Sequence, residues 1–98
     1  MESRRGEARL QYRQGARYLG CAIADTSVII GGRDADIRVP GTTITRRHAR
    51  IYRVEGRVWI EDLGGDGVWV NGEKVARAQL NNPDKLLVGG LELQFWEG

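Results

Sequence analysis

One cysteine, one histidine, two serines and two prolines are all that this 98-residue chain holds of those types. With Cys21 alone, no internal disulfide framework can form, and a reducing, cytoplasmic setting is the expectation. One histidine and one cysteine are too few for a zinc site, so neither metal nor cofactor is expected. A hydrolase needs a nucleophile, a base and an orienting group. Here Cys21 sits in an apolar, strand-like stretch, Ser3 near the N-terminus, and Ser27 beside Thr26 in a turn-like pair. No nucleophile–base pair emerges, and the chain reads as not an enzyme. Gly65-x-Gly67 is no nucleotide loop, because no helix follows it and no Gly-Lys-Ser/Thr occurs. Also missing are a signal-peptide pattern, an apolar run near the ~20 residues that would span a bilayer, and any sustained helical spacing of apolar residues.

Glycine and arginine fill the space those absences leave. Fourteen glycines and thirteen arginines among fifteen basic residues accompany a net charge of +2 and a pI near 9.0. Arginine holds its charge and grips phosphate or carboxylate with a planar fork of donors. Arg9 and Arg13 share a face of the first strand-like segment, with Arg17 beyond its turn. Aromatic residues do not interleave with them as base stacking requires, so a solvated outer face is expected and nucleic acid is not. Trp59, Trp69, Trp96 and Phe95 are expected to serve core and sheet packing, with Trp59 or Trp69 as an exposed platform the alternative.

Short apolar runs separated by turn residues indicate an all-β fold. Strands are expected around Leu10–Arg13, Arg17–Ile23, Val28–Ile30, Ile37–Val39, His48–Val54, Arg57–Leu63, Val68–Val70, Leu86–Val88 and Leu91–Trp96. Glu55-Gly56, Asn71-Gly72 and Gly89-Gly90 are hairpin signals, Asn-Gly being the strongest. Residues Ala76 to Asp84 read as the longest irregular connection. Val28-Ile29-Ile30-Gly31-Gly32 and Leu86-Leu87-Val88-Gly89-Gly90 read as strands ending at similar bends. Residues 1–8 are expected to be a flexible N-terminal segment and 9–98 one domain.

The stretch from Gly32 to His48 carries the chemistry. Arg33, Arg38, Arg46 and Arg47, with the hydroxyls of Thr42, Thr43 and Thr45, surround the bend at Pro40-Gly41. Arg38 lies within the apolar run Ile37–Val39 and is free to point elsewhere. The others flank turns, where guanidinium and hydroxyl donors can converge on one anion.

In order and spacing, the chain from Leu10 to Trp96 resembles a forkhead-associated (FHA) domain. Gly32-Arg33 matches the family's Gly-Arg at a strand end, and Thr45-Arg46-Arg47-His48 its Ser-x-x-His. Asp62-Leu63-Gly64 matches the approach to its recognition loop, Val70-Asn71-Gly72 its later hairpin, and Gly89 or Gly90 its last glycine. The resemblance implies an all-β, SMAD/FHA-like, two-sheet antiparallel β-sandwich of about 10–11 short strands. It implies a phosphothreonine-peptide-binding module for phosphorylation-dependent protein–protein interaction in signalling. By the same resemblance, Arg33 and Thr45 hold the phosphate and Arg46 assists. Asp66 and Gly67 line the peptide track, while Gly32, His48, Asn71 and Gly72 are structural.

The recognition loop departs from the family pattern. Gly65-Asp66-Gly67 stands where the family has Ser-x-Asn-Gly, one residue shorter. An ionised Asp66 lacks the amide donors of Asn and repels a phosphate carrying about −1.5 to −2 charge. Two readings of Asp66 follow: it caps a glycine-rich turn, or it pairs with Arg33 or Arg46 and fills the phosphate pocket. The alternative function is a divergent FHA domain that acts as a phosphate-independent assembly module.

Overall fold

Period-two alternation becomes a two-sheet sandwich in a computed structural model, which describes residues 8–14, 16–23, 27–32, 35–39, 47–64 and 67–97. The strands in chain order are β1 (Ala8–Gln14), β2 (Arg17–Ile23), β3 (Val28–Gly31), β4 (Ile37–Arg38), β5 (Arg47–Val54) and β6 (Arg57–Asp62). They continue with β7 (Val68–Val70), β8 (Glu73–Val75), β9 (Arg77–Gln79), β10 (Asp84–Val88) and β11 (Leu91–Glu97). One sheet has the order β2-β1-β11-β10-β7-β8 and the other β4-β3-β5-β6-β9. Every described pairing is antiparallel except β3–β4, which is parallel. Ala8, expected in the N-terminal segment, is the first residue of β1 and is buried.

The core lies between the sheets. Leu10, Leu86, Leu93 and Phe95 face inward from one, and Ile30, Ile51, Val58 and Ile60 from the other. Each such side chain removed from water contributes about 1.5–3 kcal/mol. Left-handed backbone at Glu55-Gly56, Asn71-Gly72 and Gly89-Gly90 gives three two-residue hairpin turns, each with positive φ at both positions. The expected bend at Pro40-Gly41 lies outside the described residues.

Three expectations need correction. The connection from Ala76 to Asp84 contains β9, which pairs with β6 through Trp59↔Gln79, Ile60↔Ala78 and Glu61↔Arg77. Its run Arg77-Ala78-Gln79 carries no strand propensity; edge pairing and the burial of Leu80 decide it. The tryptophans do not enter the core. Their registers turn Trp59, Trp69 and Trp96 to the outer faces, where Arg77 covers the Trp59 ring at 4.5 Å and Lys74 covers Trp69 at 5.7 Å. Trp96 donates Nε1–H to Gln11 Oε1 at 3.0 Å. The two Gly-Gly endings also part company. Gly89-Gly90 turns a hairpin, whereas Gly31 ends β3 at a shift in register and the chain returns as parallel β4.

Candidate phosphopeptide site at the loop end

Pairing of Gly31 with Arg47 sets the end of β3 beside the start of β5. Gly32 therefore follows one strand where Arg47 opens the other. Around Gly32 the backbone is pinned from several sides. Ala35 N–H donates to Gly32 O at 3.2 Å, Val39 N–H to Gly31 O at 2.8 Å, and Asp36 N–H to Ile29 O at 2.9 Å. The Asp36 carboxylate accepts Ile29 N–H at 2.8 Å. Gly32 and Ala35 are thus held to one another and to the end of β3.

His48 joins a third segment to this corner. Ile30 pairs with Ala49 and Gly31 with Arg47, so His48 is the extra residue of a β-bulge. The bulge breaks alternation: His48 and its neighbour Ala49 are both fully buried. From there His48 Nε2 lies 3.0 Å from Gly67 O. The carbonyl must accept, so the ring carries its proton on Nε2. His48 O accepts Leu63 N–H at 2.9 Å, and Asp62 Oδ1 accepts Gly64 N–H at 2.9 Å, an Asx turn that opens the loop between β6 and β7. One buried histidine thereby ties the base of β5 to both ends of that loop.

Gly67 is held from the outer side as well. Its φ is +123°, and a Cβ built there would meet Trp69 Cη2 and Cζ3 at 2.9 Å and Lys74 Cε at 3.2 Å. Only glycine fits both the backbone and the ring. Trp69 is a site residue that residue-by-residue reading missed. Its one sequence cue was the position two residues after Gly67, on the face opposite Val68.

Arg33, Thr45, Arg46 and Asp66, the residues expected to touch phosphate and peptide, lie outside the described residues. Of those described, Gly32, His48 and Gly67 meet at the corner above. Asn71 and Gly72 do not: they form the β7–β8 turn, at the other end of β7 from Gly67. There Asn71 Nδ2 donates to Asp84 Oδ1 at 2.9 Å, and Asn71 Oδ1 accepts Lys85 N–H at 3.0 Å. Asn71 N–H donates to Lys85 O at 2.7 Å, and Asp84 Oδ2 accepts Asn81 N–H at 2.7 Å. Cys21 and His48 belong to different sheets. Burial, with the Asp36 charge adding to it, pushes the Cys21 thiol up; burial also pushes up the Tyr12 phenol, helped by Cys21.

A strand-end Gly-Arg, a bulged histidine that braces a loop, and a two-sheet sandwich that offers its loops at one end describe a peptide-docking scaffold. Known proteins share this sequence pattern and fold. The family model for the FHA domain matches residues 28–89, and the chain belongs to that family. It is 32% identical over 96 residues to the glycogen accumulation regulator GarA of Mycolicibacterium smegmatis, covering 95% of this chain and 61% of that protein. It is 33% identical over 87 residues to the oxoglutarate dehydrogenase inhibitor of Corynebacterium diphtheriae, covering 86% of this chain and 58% of that protein. The chain thus spans about three-fifths of the length of these relatives. A domain solved in a structural and functional study of phosphothreonine-dependent FHA domain interactions superposes with a TM-score of 0.80 at 30% identity, covering 94% of this chain and 97% of that one.

Proposed function

We propose that this chain is a non-enzymatic docking module that binds a phosphothreonine-bearing segment of a partner protein at the loop end of the sandwich. One observation carries the reading: the Gly31–Arg47 pairing and the His48–Gly67 bond draw three separate sequence motifs to one corner. Arg33 and Thr45 supply the phosphate donors there, Arg46 assists, and Asp66 and Gly67 border the peptide. A charge-assisted bond of this kind is worth roughly 1.5–3 kcal/mol. The sandwich that begins with Ala8 in β1 acts as the module. The relatives' names, a regulator and an inhibitor, fit a domain that works by holding a partner rather than by transforming a substrate. A phosphoprotein ligand and a lone free cysteine both suit the cytoplasm.

Titration of matched threonine and phosphothreonine peptide libraries tests this reading. Selective binding of the phosphorylated form, lost in Arg33→Ala, is the expected result. Binding that ignores the phosphate would replace it with the assembly-module alternative. Asp66→Asn restores the amide donors and removes a negative charge, so tighter phosphopeptide binding is expected. An unchanged affinity would show that Asp66 caps its turn without entering the pocket.

A further inference from the structure

Among the described residues the two sheets have four edge strands, and three of them are blunted. β4 has two residues and includes Arg38, β8 is Glu73-Lys74-Val75, and β9 is Arg77-Ala78-Gln79. Short edges with charged side chains resist further pairing. β2 is different. It runs seven residues, Arg-Tyr-Leu-Gly-Cys-Ala-Ile, with no proline and with its only charge at the first position.

Register shows which of its backbone groups are open. Gln14 and Arg17 form the last pair of the β1–β2 hairpin, across a two-residue turn, so they exchange both hydrogen bonds. Alternation then directs Leu19, Cys21 and Ile23 toward β1 in the same way. Tyr18, Gly20 and Ala22 turn their N–H and C=O groups away from it. Among the described residues no strand pairs with that side. Tyr18 is 78% exposed, Gly20 and Ala22 are exposed, and Leu19 and Cys21 on the opposite face are half-buried.

We propose that β2 pairs antiparallel with β2 of a second copy, about a twofold axis through Gly20. Tyr18 then stands opposite Ala22 of the second copy, Gly20 opposite Gly20, and Ala22 opposite Tyr18. All three open residues find partners in one register. The shapes agree as well. The outer face reads large, none, small along Tyr18, Gly20 and Ala22, and reversing that order lays each tyrosine ring over the recess left by the other copy's glycine and alanine. On the inner face, Leu19 meets Cys21 of the second copy and both leave water. Antiparallel pairing also places the two Arg17 side chains at opposite ends of the contact, whereas parallel pairing would set them side by side. This self-match selects a second copy over an unrelated strand.

A single strand edge buries less than the about 1,600 Å² of a standard interface, so the dimer is weak and concentration-dependent. The row Leu19, Tyr12, Leu93, Leu86 and Val70 crosses the sheet, and from it the Gln14 end of β1, the β10–β11 turn and Gly67 all lie toward the same end of the sandwich. The twofold axis therefore points the two loop ends in opposite directions. If both bind phosphopeptides, which rests on the function proposed above, the dimer bridges two partner molecules rather than two sites on one short segment. The pairing itself does not depend on that function.

Sedimentation equilibrium over a wide concentration range reads the association. The wild-type mass is expected to climb from 11.0 kDa toward twice that value. Tyr18→Lys and Gly20→Pro are expected to hold it at the monomer mass. Tyr18→Lys alters an exposed side chain, so it keeps the fold where a proline in β2 endangers it. Register is read by oxidising Leu19→Cys. In antiparallel non-hydrogen-bonded pairs the Cα atoms lie about 4.5 Å apart, within disulfide range. The introduced thiol is therefore expected to bridge to Cys21 of the second copy, which peptide mapping under non-reducing conditions identifies. A wild-type chain that stays monomeric throughout overturns the proposal and leaves the edge to a heterologous strand. A dimer that survives Tyr18→Lys and lacks the 19–21 bridge overturns it equally.

Discussion

The two ends of β7, three residues apart, are braced by different chemistry for different purposes. At the Asn71 end a carboxylate and an amide close on one another. Asp84 accepts from Asn71 and Asn81, and Asn71 exchanges bonds with the Lys85 backbone. Four bonds within a few residues make that end rigid, and all of them are spent inside the protein. At the Gly67 end one imidazole bond and one aromatic contact hold a loop from its two sides. Both of those contacts fall on Gly67, where the loop rejoins β7. The Asn71 end satisfies its own donors and acceptors; at the Gly67 end the described contacts lie at the roots of the loop.

Several substitutions would break or sharpen this contrast. Asp84→Ala strands two donors and should cost the most, about 2–4 kcal/mol in urea denaturation. Phosphopeptide affinity of the folded fraction should hardly change; a large loss would mean that the two ends are coupled. His48→Ala should cost about 1–3 kcal/mol through the cavity and the lost bond. It should also weaken phosphopeptide binding about tenfold or more, one hydrogen bond's worth of loop positioning. Gly67→Ala meets a strained φ and the Trp69 ring, and about 1–2 kcal/mol of destabilisation is expected. Adding Trp69→Leu should recover part of that loss, which a double-mutant cycle reads as a favourable coupling.

The smallest effect belongs to Cys21, away from both ends. Burial and the nearby Asp36 charge favour its neutral thiol, so its folded pKa lies above the unfolded one. Any stability it lends is complete below the unfolded pKa and fades as pH rises through the folded value. The pH midpoint of its alkylation rate should accordingly lie higher in the native chain than in urea. A midpoint at or below the unfolded one would contradict this.

Strand positions were legible wherever alternation and a turn dipeptide coincided. Val58 and Ile60 inward and Trp59 outward follow from parity alone once the Glu55-Gly56 hairpin is recognised. β9 was not legible, because its residues favour no strand and only the edge of β6 selects that conformation. The tryptophans misled for a related reason: size suggested the core, while register sent them outside to be covered by Lys74 and Arg77. The outline of the binding end was readable from motif order, yet Trp69 was not, since its role depends on which face of β7 looks toward Gly67.

Composition, alternation and turn residues by themselves determined an all-β chain, its hairpins and the family whose motifs it carries. Each of these depends on neighbours a few positions apart, which the chain order already holds. Tertiary structure alone decided that His48 turns inward, that Gly67 needs to be glycine and that β2 lies at the edge of its sheet among the described residues. A bulge, a ring pressed on a loop and the place of a strand in its sheet all arise between segments far apart in the chain, where no local pattern records them.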